Sequence, residues 1–195
     1  MKKSIAIIGE GETEWFYFDS LRVACRYPFK LSPGFPQHAD IDHILKLAKT
    51  KLSEGYDYVI CLIDMDRLYE KPAEMKKYQS FKSRKENRDI MFIETSPCTE
   101  FWFLLHFLPD NAVRHFQNYD QLIPELRKYM PGYEKTKHYF IRTKLYDYLR
   151  DNGSIERAKD NAEKLSLLSK ESPEDKIAYS EIYKVIDLLN KLNCQ

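Results

Sequence analysis

Two short runs of carboxylates stand out in this chain by type and spacing. The first is Gly9-Glu10-Gly11-Glu12-Thr13-Glu14 and the second is Asp64-Met65-Asp66. Each follows an apolar, β-branched stretch, Ile5-Ala6-Ile7-Ile8 and Tyr58-Val59-Ile60-Cys61-Leu62-Ile63. If those stretches are neighbouring parallel strands, Glu10, Asp64 and Asp66 meet at their carboxyl ends. Two carboxylates about 6 Å apart repel by about 3 kcal/mol at an effective dielectric near 20. Three or four together therefore call for a cation or for protons. Oxygen donors without His or Cys suit Mg²⁺ or Mn²⁺ better than zinc. The chemistry open to such a site is metal-assisted attack on a phosphate ester. A phosphate-binding glycine turn fits less well, because Glu14 stands where the third glycine would be and acids repel phosphate. A phosphatase-type Asp-x-Asp nucleophile would lie on the first strand and be followed by a different residue than Leu68. A phosphotyrosyl route through Tyr17 or Tyr69 has no specific pattern behind it.

The elements that must position these acids are legible from periodicity. Ser4–Ile8, Tyr58–Ile63 and Ile90–Ile93 read as buried strands, with a short strand at Phe29–Leu31. Helical spacing over Thr13–Arg26, with Thr13 as a cap, and over 41–52 behind Asp40, separates them. The turn signals Pro33-Gly34 and Pro36 lie between. Strands alternating with helices predict a parallel α/β sheet, and ligands gather at the carboxyl ends of such strands. Beyond residue 110 the periodicity predicts helices only, at Tyr119–Met130, His138–Arg150, Ile155–Ser169 and Tyr179–Leu192. The expected organisation is an α/β core over residues 1–110 and a helical extension packed on it over 111–195.

Composition narrows the class. The 195 residues hold 31 Lys+Arg against 30 Asp+Glu and are 14% aromatic, too aromatic for disorder. No apolar run approaches the roughly 18 residues of a membrane span, and the apolar start is too short for a secretion signal. Four cysteines without paired spacing exclude a zinc finger and a disulfide scaffold and place the chain in the cytoplasm. The small net charge conceals segregation: residues 67–88 carry 8 basic and 3 acidic side chains, and 89–126 carry 1 and 6. A basic surface beside an acidic site suits a polyanion. Lys82, Arg84 and Lys85 are the candidates for nucleic-acid contact, with Lys135 behind its Pro-Gly turn. His106, Trp102 and Phe103, on the apolar stretch 101–108, read as core.

The two acidic runs, together with Tyr17-Phe18 and with Ser96-Pro97-Cys98-x-Glu100-x-Trp102-x-x-x-His106-Phe107, resemble the RloB-like family of prokaryotic proteins. The resemblance extends weakly through Tyr133-x-Lys135 and Ala158-x-x-x-Ala162. Glu12 departs from a family position that is often basic, and Thr99 from one that is often aromatic. The resemblance implies a Toprim-like core in which Glu10, Asp64 and Asp66 are the catalytic acids of a nuclease of RNA or DNA. It also implies a setting in phage defence beside an ABC-type ATPase. Glu14 and Glu100 complete the expected metal set: Ser96-Pro97 reads as a helix cap and first position, which puts Glu100 in the first turn at the same sheet edge. The rival expectation is a non-catalytic module that binds a cation and docks on an ATPase.

Overall fold

The computed structural model describes residues 3–32 and 40–193, so Pro33, Gly34 and Pro36 lie outside it. The core is a five-stranded sheet in the order β2-β1-β3-β4-β5. It is formed by β1 (Ile5–Ile8), β2 (Lys30–Ser32), β3 (Tyr58–Asp64) and β4 (Ile90–Ser96), all parallel, and by β5 (Tyr179–Ser180), antiparallel to β4. Helices α1 (Glu12–Cys25), α2 (Ile41–Ser53), α3 (Met65–Glu70) and α4 (Pro72–Lys82) connect the parallel strands. After β4 come α5 (Glu100–Leu105), α6 (Tyr119–Tyr129), α7 (Lys137–Thr143), α8 (Leu145–Asn152), α9 (Ile155–Glu171) and α10 (Ile182–Asn193).

Successive strand residues point to opposite faces, and here both faces are covered. Ile60 and Leu62 enter a core shared with α1, α5 and the C-terminal helices, whereas Val59, Cys61 and Ile63 pack against α2, α3 and α4. That is why the strands read as continuous apolar runs rather than alternating ones. No helix of the described residues is long and apolar enough to cross a membrane.

The C-terminal region departs from the all-helical expectation. Tyr179 and Ser180 pair with Ser96 and Thr95, so the stretch read as one helix from Tyr179 is a short strand followed by α10. Two residues are too few for alternation to show. The pairing draws on the free edge of β4, an edge that no local pattern reveals. The stretch His138–Arg150 is likewise two helices, broken at Lys144, which adopts a left-handed φ of 51°. Helices α6 to α10 share one apolar cluster with α1 and α5, and residues 179–180 add a strand to the sheet.

Candidate metal centre at the sheet edge

The chain leaves β1 to form β2 on one side and then returns to form β3 on the other. The carboxyl ends of β1 and β3 therefore flank the point where strand order reverses, the usual crevice for ligands in open α/β sheets. Glu10 lies two residues past β1, and Asp64 is the last residue of β3. The Asp64 backbone N–H donates to Glu10 Oε1 at 3.1 Å, and Arg67 Nη1 stands 3.5 Å from Glu10 Oε2.

Glu14 comes to the same place through the first turn of α1. Its Oε2 accepts from the Gly11 N–H at 2.9 Å, the carboxylate half of a capping box. The cap position is Gly11, not Thr13 as the sequence suggests: the reaching glutamate satisfies the helix end and frees the Thr13 hydroxyl for other use. Gly9 makes room for this arrangement. A Cβ on Gly9 would lie 2.8 Å from Glu14 Cβ, an atom anchored to the helix backbone. Gly9→Ala is expected to lower stability by about 1–3 kcal/mol, as overpacking does, in a urea titration. A change near zero would show that the turn can yield.

Glu100 is the first residue of α5 and is fully buried. Its Oε1 accepts from Tyr133 Oη at 2.8 Å and from Thr13 Oγ1 at 3.3 Å, and lies 2.9 Å from Lys135 Nζ. Its Oε2 is buried without a hydrogen-bond partner. The expected Ser96 cap does not form. Ser96 is the last residue of β4, held extended by the proline that follows it and by its pairing with Tyr179. Thr99 is the residue before α5 instead, and it binds Asp64 Oδ1 through both its N–H (2.9 Å) and its Oγ1 (3.0 Å).

Asp66 is only half-buried, and its Oδ1 accepts from the Arg67 N–H at 2.6 Å. Burial, and after it the charges of Glu14, Glu10 and Glu100, raises the Asp64 carboxyl well above its ordinary range. Burial and then Glu14 push Glu10 up to about 8, against the opposing hydrogen bond from Asp64 and the charge of Arg67. Asp66 is raised by burial as well. Burial alone would lower the Lys135 ammonium, but Glu100, with Cys98 and Asp64 behind it, raises it overall, so it stays charged. The N-termini of α1 and α5 point into the cluster and favour acids there. They do not offset five carboxylates faced by two cations, Arg67 and Lys135.

The donor set suits a hard divalent cation. Among the described residues, one oxygen each of Glu14, Asp64 and Glu100 takes no hydrogen bond while the other is used. As the side chains stand, no group of three or more His, Cys, Asp or Glu among the described residues meets at one metal-binding point. A cation would find its ligands here only after rotamer adjustment of these side chains.

The structure brings Lys135 to this edge, holds Lys82 on its flank and sends Arg84 and Lys85 elsewhere. Lys82 Nζ lies 2.6 Å from Glu94 and over the Tyr78 ring. Arg84 and Lys85 stand between α4 and β4, and the first residue of β4, Ile90, pairs with Val59 near the start of β3. They are thus at the opposite edge of the sheet from the acids. Arg84, Lys76 and Lys77 instead join Lys46 and Lys49 around a cleft of about 620 Å³ between α2 and α4. Lys46→Ala with Lys76→Ala should reduce the log–log salt slope of single-strand binding by up to about 0.7 for each phosphate no longer neutralised. An unchanged slope would make the cleft a solvated face.

His106 is core, as expected: it is fully buried, with Nδ1 2.9 Å from the Trp102 carbonyl. Thr13, Thr99 and Tyr133 are the site residues the sequence reading missed. Only the Tyr133-x-Lys135 pattern pointed at any of them.

No curated protein and no solved structure matches the chain. The family described as RloB-like protein matches residues 5–189. That span holds both acidic runs, the Ser96–Phe107 stretch, Tyr133 and Lys135, and the chain belongs to the RloB-like protein family.

Proposed function

We propose that the chain is a metal-dependent, Toprim-type nuclease that cleaves phosphodiester bonds in RNA or DNA. The proposed setting is cytoplasmic, as the effector of a prokaryotic phage-defence system with an ABC-type ATPase as partner. The observation that carries the chemical part is the cluster of Glu10, Glu14, Asp64, Asp66 and Glu100 at the strand-order reversal, short of positive charge and with carboxylate oxygens left unbonded. Family membership supports the biological setting.

Glu14, Asp64 and Glu100 would hold the cation, with Asp66 at the outer rim. Bound there, Mg²⁺ or Mn²⁺ supplies a polarised phosphate and a more acidic water. The rest is the work of the chain. Thr99 fixes Asp64 from two donors, and Tyr133 and Thr13 fix Glu100. Glu10, beside the Asp64 backbone and next to the cation set, is the carboxylate placed to act as general base for water. Lys135 carries a charge that a substrate phosphate can recruit from Glu100. Tyr17 is excluded as a nucleophile, because it is fully buried and its hydroxyl accepts from Trp102 Nε1 at 2.8 Å.

The test is incubation of the purified chain, alone and with its ATPase partner, with mixed RNA and plasmid DNA in Mg²⁺ or Mn²⁺. Cleavage is expected that EDTA stops and that Glu10→Gln lowers by about 10²–10⁴-fold, the range for a positioned base. Ion binding without cleavage of either polymer, partner included, would overturn the reading in favour of a non-catalytic docking module.

A further inference from the structure

A second cavity, of about 600 Å³, opens beside the acidic centre and shares Asp66 with it. Its walls come from four separate parts of the chain: α3, the end of β4, the loop before α6, and the segment between α9 and β5. The volume lies within the range of small-ligand sites. Three aromatic side chains line it. Tyr69 is 56% exposed, Phe116 is half-buried with its ring 6.2 Å from that of Phe101, and Tyr179 donates its hydroxyl to Glu94 at 3.2 Å.

Some polar groups of the wall are spent, Glu94 on Tyr78, Lys82 and Tyr179 and Lys170 on Glu181, and others are not. Asn118 uses its Oδ1 to cap α6, accepting from the Gln121 N–H, and this leaves its NH₂ free among the described residues. The side-chain amide of Gln117 makes no hydrogen bond among them either; only its backbone N–H does. Lys176, also on the wall, forms no ion pair among the described residues. Glu70 and Asp66 offer carboxylate acceptors. Flat apolar faces next to amides and carboxylate acceptors match a nucleobase, whose faces stack on aromatics and whose edge donates from ring and exocyclic nitrogens. A phosphate matches less well, because Asp66, Glu70 and Glu94 outnumber Lys170 and Lys176 on the wall.

We propose that this cavity takes one unstacked base of a single-stranded nucleic acid, the nucleotide next to the scissile phosphate held at the acidic centre. The inference rests on the nuclease reading above and adds the substrate class: single strands, or loops with splayed bases, rather than duplex. Asp66 ties the two together, because it stands at both, and a backbone phosphate and its own base are separated by a single sugar. A base inside a duplex is not available to the cavity unless it is first unpaired and flipped out.

The test uses the full chain and three probes: a short single-stranded oligonucleotide, the duplex of the same sequence, and ribose 5-phosphate, which has no base. Binding is read by fluorescence anisotropy in EDTA, with ribose 5-phosphate as competitor, and KM is read separately under cleavage conditions. The single strand is expected to bind at least roughly tenfold more tightly than the duplex, and ribose 5-phosphate is expected not to displace it. Tyr69→Ala, at an exposed position that does not threaten folding, and Phe116→Leu, which keeps apolar bulk against Phe101, should each weaken single-strand binding roughly tenfold, in line with loss of a stacking face. KM should rise with little change in kcat. Equal binding of duplex and single strand, displacement by ribose 5-phosphate, or unaltered binding by both variants would each overturn the proposal. If no polymer is cut but Tyr69- and Phe116-dependent single-strand binding is found, the nuclease reading fails and the base site stands. If cleavage is found without that dependence, the nuclease reading stands and the base site falls.

Discussion

Asp64→Asn is expected to stabilise the protein in EDTA while abolishing its response to Mg²⁺ and its cleavage activity. Asn retains an Oδ1 that can accept both Thr99 bonds, so the local geometry survives. What it removes is one negative charge from a buried group whose carboxyl is raised by burial and then by Glu14, Glu10 and Glu100. Removing the cost of burying that charge, and with it the repulsion, should raise stability without metal, measured by urea denaturation. In the unmodified chain, Mg²⁺ at about 100 times its dissociation constant should add about 2.7 kcal/mol. The variant should show none of it. A chain whose melting temperature ignores millimolar Mg²⁺ and Mn²⁺, and whose Asp64→Asn form is destabilised in EDTA, would show the acids to be a structural hydrogen-bond cluster.

The second large effect is on the pH dependence of stability in EDTA. Glu10 has a folded value near 8 against an ordinary 4.5. A raised carboxyl contributes stability that is fully present below about 4.5 and lost as pH rises through about 8. Because Glu10 is 9% exposed, little solvent screening intervenes, and the loss is of order 4 kcal/mol. Asp64 and Asp66 act in the same direction. His106 opposes them: burial lowers its imidazole to about 4, so its contribution is present above about 6.5 and lost as pH falls through 4. Between about pH 4.5 and 6.5 the Glu10 and His106 slopes offset each other, so the steepest loss of stability in EDTA should lie between about pH 6.5 and 8, where the raised carboxyls act unopposed. Glu10→Gln should flatten the alkaline limb, and saturating Mg²⁺ should remove it by favouring the ionised acids. An alkaline limb that Glu10→Gln leaves unchanged would place the titrating group elsewhere.

The difference between Lys135 and Lys82 shows where sequence reading reaches its limit. Both stand in basic stretches as candidate phosphate contacts. Lys135 reaches the acidic edge because Tyr133, two residues before it, is buried against Glu100 and fixes the loop there. Lys82 is turned to Glu94 by the packing of α4 on β4, where Tyr78 meets Phe92. Nothing in charge runs distinguishes the two, because the partner of each is set by a contact distant in the chain.

By itself the sequence determined the parallel strands, the helices between them and the acids at the strand ends. Burial on both faces forces apolar runs, and a chain leaving a strand must turn at once, so Glu10 and Asp64 are tied to their places by a few residues of local geometry. The tertiary structure alone decided which hydroxyls, from Thr13, Thr99 and Tyr133, hold the acids, that Gly11 rather than Thr13 caps α1, and that Tyr179 and Ser180 close the sheet as a fifth strand. Each depends on groups brought together across tens of residues, and a hydrogen bond of that span leaves no periodicity behind it. Side-chain pairing across the fold therefore settled the charge balance of the site, while local patterning had already settled its address.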